Sequence, residues 1–191
     1  MGVARVAAAR VARGLTSRDD PKAPGHGPTP RDPVKTVQTL TSLHLSHHQR
    51  AQLIEHALAA YPFECCGLLL GRVRRGAAVV ERVIPAANIA EGDRCKRFQV
   101  DWRTLLDAYR LARVEALEVF GSYHSHPEGP VRPSVLDERE ALSGHVCVIV
   151  GPVLQAEPQC GAWVLSPMGT MTGIDVILSG DSEIATDADH V

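Results

Sequence analysis

The chain has 191 residues, 45% of them hydrophobic, and a formal net charge of -2 from 20 basic and 22 acidic side chains. That length and apolar share suit one packed domain with tails, and the near balance of charge argues against nucleic acid or a membrane surface as the main partner. No apolar run approaches the roughly 20 residues of a membrane span. Five cysteines, with Cys65 and Cys66 adjacent, form neither a disulfide framework nor a C-x-x-C metal pair, which fits a reducing cytoplasm.

Residues 1–37 read as a disordered N-terminal tail. Met1 to Ser17 is rich in Ala and Val, carries Arg5, Arg10 and Arg13 and lacks acids, a faint transit-peptide pattern. Pro21, Pro24, Pro28, Pro30 and Pro33 then rule out a sustained helix or central strand; a start site placed upstream of the true one gives the same pattern.

Structure is expected from a short strand over Leu40 to Leu45. Ser46 and Gln49 form an S-x-x-Q capping box for a helix over 47–60 with Leu53, Ile54, Ala57 and Leu58 as its buried stripe. His47, His48 and His56 read as solvent-facing. Pro62 ends the helix, and Cys65 to Leu70 is a buried strand. Gly71 to Gly76 reads as a basic turn, Ala77 to Ile84 as a second strand and Arg97 to Val100 as a third. Asp101 caps a helix to about Glu118, with Trp102, Leu105, Leu106, Tyr109 and Ala112 on its inner side. Val119 to His126, His145 to Val150, Gly161 to Leu165 and Met171 to Leu178 are further strands, and 179–191 an acidic C-terminal tail. This order gives an α/β fold with a curved, mixed sheet flanked by helices.

The stretch that carries chemistry is Ser122 to Asp137, SYHSHPEGPVRPSVLD. On a strand, His124 and His126 point to one face and Ser125 to the other. Two imidazoles on one face can share a metal, and Asp137 can return across the loop as a third ligand, leaving a position for water in the manner of catalytic zinc. Ser134 and Asp137 also have the S-x-x-D form of a capping box for the helix beginning at VLDEREAL, and the two roles are compatible.

His124-Ser-His126-Pro, with Ser134 eight residues on and Asp137 three further, resembles the H-x-H-x(7)-S-x-x-D signature of the JAMM/MPN+ zinc metalloproteases. Tyr61 to Gly71, YPFECCGLLLG, resembles the family's first helix end and strand. The resemblance, of the compact bacterial type, implies a cytidine-deaminase-like core over residues 38–178 and one zinc per chain on His124, His126 and Asp137. Carried over with it are Glu64 as the catalytic general base and Ser134 as donor to the developing oxyanion. It also implies a peptidase or isopeptidase that cuts the amide after the C-terminal Gly-Gly of a ubiquitin-like β-grasp or sulfur carrier protein, with cysteine as one leaving group.

Too few residues separate Gly71 from His124 for large insertions, so no activating subunit is expected; Arg94 to Val100 is the expected edge for the substrate tail. Two alternatives stand beside this reading: a RadC-like protein of the same fold without peptidase activity, and a non-catalytic MPN interaction module. Cysteine and serine nucleophiles fit poorly. Cys65 and Cys66 lie in an apolar run that keeps thiols protonated, and neither G-x-S-x-G nor H-E-x-x-H occurs.

Overall fold

In the computed structural model, which describes residues 40–166 and 169–180, the apolar run after Glu64 becomes the central strand β2 (Cys66–Arg74). It pairs antiparallel with β3 (Ala77–Ala86) on one side and β4 (Glu118–Ser125) on the other. Leu69 packs in a cluster with Leu53 and Ala57 of α1 (His47–Ala60), whereas Leu68 and Leu70 pack with Ala108 and Ala112 of α2 (Trp102–Val114). A strand covered on both faces reads as an unbroken apolar run instead of an alternation.

β4 pairs parallel with β5 (Val146–Gly151), which continues antiparallel through β6 (Gln159–Leu165) to β7 (Met171–Ser179). β1 (Ser42–Ser46) runs parallel to both β3 and β7, so the strand order β1-β3-β2-β4-β5-β6-β7 closes on itself. The mixed α/β character matches expectation, and the curvature of the sheet extends to a closed barrel. A short helix α3 (Val135–Glu140) lies between β4 and β5.

Four local expectations are corrected. β2 does not turn at Gly71: a register shift between Leu70 and Gly71 lets it continue to Arg74. The reversal falls at Arg75 and Gly76, both at positive φ, as a tight hairpin requires. Arg97 to Val100 is no strand of the sheet; its Val100 forms an isolated bridge with Asn88, which itself lies outside the strands. Arg94 lies in a turn closed by Lys96 N–H donating to Asp93 O, so the expected edge begins in a turn and continues as irregular chain. Helix α2 stops at Val114 because Leu117 N–H donates back to Ala112 O with Ala116 left-handed. This Schellman closure has alanine where glycine would have signalled the stop.

Three side chains also face differently from expectation. Leu58 and Trp102 are exposed, the latter beneath the Arg103 guanidinium, while Ala108 takes the buried position on α2. His56 faces inward, its Nδ1 2.8 Å from the hydroxyl of the fully buried Tyr123. The capping box of Ser46 and Gln49 forms as expected. Residues 1–37 and 181–191 of the expected tails lie outside the described residues, and Ser179 belongs to β7. Among the described residues no helix is long and apolar enough to cross a membrane.

Candidate metal centre

Strand β4 lies between β2 and β5, with His124 opposite Cys66 on one side and Ile149 on the other, and the His124 side chain is fully buried. His126 follows the strand end and is pinned by its N–H, which donates to Val150 O at 2.9 Å. Gly151 approaches so closely that a Cβ there would collide with the His126 carbonyl. After the loop over 127–133, Ser134 caps α3 and Asp137 is the third residue of that helix. Asp137 N–H donates to Ser134 Oγ, and Ser134 N–H donates to Asp137 Oδ2. The capping box therefore aims the same carboxylate that reaches the histidines.

The three expected ligands converge. His124 Nε2 and His126 Nε2 are 3.1 Å apart, His124 Nε2 is 3.3 Å from Asp137 Oδ1, and His126 Nε2 is 3.4 Å from Asp137 Oδ2. Ligands about 2.0–2.1 Å from a tetrahedral zinc stand about 3.3–3.4 Å from one another, so the spacing fits such an ion. His126 Nδ1 donates to Pro130 O at 2.8 Å, which leaves the lone pair of the neutral ring on Nε2, toward the other two groups. On the far side of His124, Nδ1 lies 3.8 Å from Cys147 Sγ.

The electrostatics also favour a cation. Burial holds the pKa of His124 below its ordinary value, against the pull of Asp137. Burial also opposes a charge on His126, but hydrogen bonds to Asp137 and Pro130 and the charges of Asp137 and Glu64 outweigh it and move that pKa up. Asp137 is half-buried, which pushes its pKa up, but the two imidazoles and Ser134 beside it outweigh that and hold it well below the usual carboxylate range. A half-buried carboxylate kept ionised beside two imidazole nitrogens is a donor set for a divalent ion that prefers nitrogen and oxygen.

Glu64 stands outside this ligand set, at the mouth of β2, and is only 6% exposed. Burial drives its pKa up to about 8; His126 opposes the shift, and Asp137 and Asp93 add to it. The unfolded chain would release this proton near 4.5. Between about 4.5 and about 8 the native state holds a proton that the unfolded state has lost, so stability falls as pH rises through that window. In chelator-treated protein, Glu64→Gln is therefore expected to raise stability at pH 8 by up to about 4 kcal/mol. Denaturant melts should show the gain vanish toward pH 4.5, and a gain independent of pH would contradict the assignment.

Ser134 accepts the Asp137 N–H through a lone pair, a role that does not consume its hydroxyl proton. Cys65 and Cys66 are buried, with thiols pushed up to about 11 and about 12 by burial, as expected of core residues. His145 is not with the ligands: its Nε2 meets Ser122 Oγ at 3.2 Å and burial lowers its pKa to about 4. Sequence reasoning missed Phe98, whose ring stacks on His124 with centroids 4.4 Å apart and planes 19° from parallel. It also missed the Pro130 carbonyl and Asn88, whose amide donates to the Glu64 carbonyl. Phe98 and Asn88 act across the fold, and the Pro130 carbonyl, though near His126 in the chain, is a main-chain group that no residue type marks.

A mixed α/β barrel that joins a strand-borne His-x-His pair to a helix-capping aspartate defines a domain of the JAB class. The family described as prokaryotic homologs of the JAB domain matches residues 46–166, and the chain belongs to that family. The matched stretch includes Glu64, the three clustered side chains and Ser134.

Among relatives, a probable TtuB-protein conjugate cleaving protease of Thermus thermophilus is 38% identical over 86 residues, 45% of this chain and 54% of its own length. The match thus spans about half of that protein. A desampylase of Haloferax volcanii is 29% identical over 119 residues, 60% of this chain and 84% of its own. The solution structure of a Desulfitobacterium hafniense protein superposes with a TM-score of 0.67 at 31% identity, covering 74% of this chain and 95% of that one. One from Salinibacter ruber gives 0.54 at 33%, covering 75% and 94%.

Proposed function

We propose that the protein is a zinc-dependent peptidase or isopeptidase that cuts the amide bond after the C-terminal Gly-Gly of a ubiquitin-like or sulfur carrier protein, with cysteine among the groups released. The observation that carries this reading is the convergence of His124, His126 and Asp137, with Glu64 buried close enough for the charges of His126 and Asp137 to act on it. The names of the two relatives, a conjugate cleaving protease and a desampylase, point to the same substrate class. The reading includes the cytidine-deaminase-like core, a cytoplasmic site of action suited to free thiols, residues 1–37 as an N-terminal tail, and activity without a second subunit.

His124, His126 and Asp137 would hold one zinc per chain. When bound, the ion supplies acidification of water and polarisation of an amide carbonyl. Glu64 takes the proton from the attacking water at its carboxylate and delivers it to the leaving nitrogen, so that one group serves as base and then acid. Ser134 Oγ donates its hydroxyl proton in a hydrogen bond to the oxygen on which negative charge develops. Pro130 O holds the His126 ring in its tautomer, and Phe98 covers the face of His124 and keeps water from it.

A tail of two glycines offers backbone and no side chain, so selectivity should come from a narrow approach that a methyl group obstructs. Carrier fusions ending Gly-Gly-Cys and Gly-Gly-Lys, incubated with zinc-loaded protein, should be cut directly after the second glycine. Mass spectrometry should show cleavage fall at least about 10-fold when that glycine is replaced by alanine. Equal cutting of unrelated peptides would overturn the Gly-Gly selectivity, and no cutting of any carrier would favour a RadC-like protein or an interaction module on the same fold.

A further inference from the structure

Glu64 precedes β2, and both of its main-chain groups are held by the irregular segment over 87–100. Its N–H donates to Arg94 O at 2.8 Å, and its carbonyl accepts from Asn88 Nδ2 at 2.9 Å. The same Nδ2 donates to Arg97 O at 3.0 Å, while Asn88 Oδ1 accepts from Ala90 N–H at 3.0 Å and Gln99 N–H at 3.1 Å. The amide thus uses both donor protons and accepts twice, which is the capacity of an asparagine side chain.

In place of a ladder, this stretch has the isolated bridge between Asn88 and Val100, a main-chain bond from Ile89 N–H to Gln99 O and the turn bond from Lys96 N–H to Asp93 O. Asn88 supplies the hydrogen bonding that a ladder would give. The strap held in this way carries Phe98 onto His124 and Arg94 onto Glu64.

From this geometry we infer that Asn88 is a positioning residue that fixes Glu64 and the Phe98 strap as one unit over the metal centre. The inference rests on the proposed function for its catalytic consequence, but the clasp itself is independent of that reading. Aspartate has almost the same shape as asparagine and keeps an acceptor for Ala90 and Gln99, yet it cannot donate to the carbonyls of Glu64 and Arg97. Asn88→Asp therefore breaks the hold on Glu64 without opening a cavity. A displacement on the order of 1 Å at a reacting group can cost about 100-fold in rate.

The test compares Asn88→Asp and Asn88→Ala with Ser46→Ala, which removes the cap of α1 and lowers stability away from the site. Amide hydrogen exchange on the full chain, chelator-treated and zinc-loaded, should show Glu64 N–H losing protection in both Asn88 variants and Gln99 N–H losing it in Asn88→Ala, where its acceptor is gone, while β5 and the Ser46→Ala control keep theirs at these positions. Turnover of the Gly-Gly carriers should fall about 10- to 100-fold in kcat, with zinc still at one per chain and KM little changed. In a Glu64→Gln background the further loss from Asn88→Asp should shrink to within about 3-fold, because the two residues act as a unit.

Unchanged exchange in Asn88→Asp would overturn the clasp. Loosened exchange with full kcat, or an equal loss in the Glu64→Gln background, would overturn the positioning role. If the unaltered protein turned over no carrier, the proposed function would fail and the positioning role with it, while the exchange data would still decide the clasp.

Discussion

Glu64→Gln is expected to keep one zinc per chain and to lose about 1,000-fold or more in kcat, because positioned proton transfer is worth about 100- to 10,000-fold. Glutamine preserves the shape and main-chain contacts of Glu64 but cannot accept and return a proton. The carboxylate lies outside the ligand cluster, so its loss should spare the metal. With a pKa raised to about 8 by burial, Glu64 is a stronger base than an exposed glutamate, and a cation held nearby would draw that value down toward neutrality. KM should change little, since the interaction is made as the proton moves. Metal analysis and steady-state kinetics on one preparation decide the matter, and near-normal turnover would move the general base to another residue.

His126→Ala is expected to abolish stoichiometric zinc and, with it, all measurable cleavage. Of the two histidines it is the cleaner probe. His124 is fully buried under Phe98, so truncating it would hollow the core, whereas His126 keeps 11% of its side chain exposed. Losing an outer partner of a ligand costs about 10- to 100-fold in metal affinity, and losing a ligand itself should exceed that. Protein dialysed against a weak chelator should hold zinc at one per chain before the change and close to none after it, with the fold retained by circular dichroism. A variant that still bound one zinc tightly would remove His126 from the ligand set.

Much of this site could be read along the chain, for a physical reason that differs from residue to residue. The alternation of a strand put His124 and His126 on one face, and the rules of helix capping placed Ser134 and Asp137 at a helix start; both depend on neighbours a few residues apart. Glu64 had no such local mark. A glutamate at a strand entrance is ordinarily solvated, and only the resemblance of YPFECCGLLLG singled it out. The helix boundaries divide in the same way. The start of α1 is written in Ser46 and Gln49, whereas the end of α2 depends on Ala116 taking a left-handed conformation that its residue type does not advertise.

Tertiary structure decided what depends on contacts between distant segments. The closure of the sheet needs β1 to pair with both β3 and β7, and nothing in the sequence of Ser42 to Ser46 states that two edges await it. The raised pKa of Glu64 comes from burial, and His56 turns inward because Tyr123 offers its hydroxyl there. The segment over 97–100 failed as a strand because the Asn88 side chain, in place of a neighbouring backbone, takes the Gln99 N–H. The sequence by itself determined the ligand spacing, the caps and the doubly buried β2, which follow from local periodicity and hydrogen-bonding capacity. Only the folded chain determined that three ligand atoms lie within 4.8 Å of one another and that Asn88 ties Glu64 to the strap, because those relations join residues far apart in the chain.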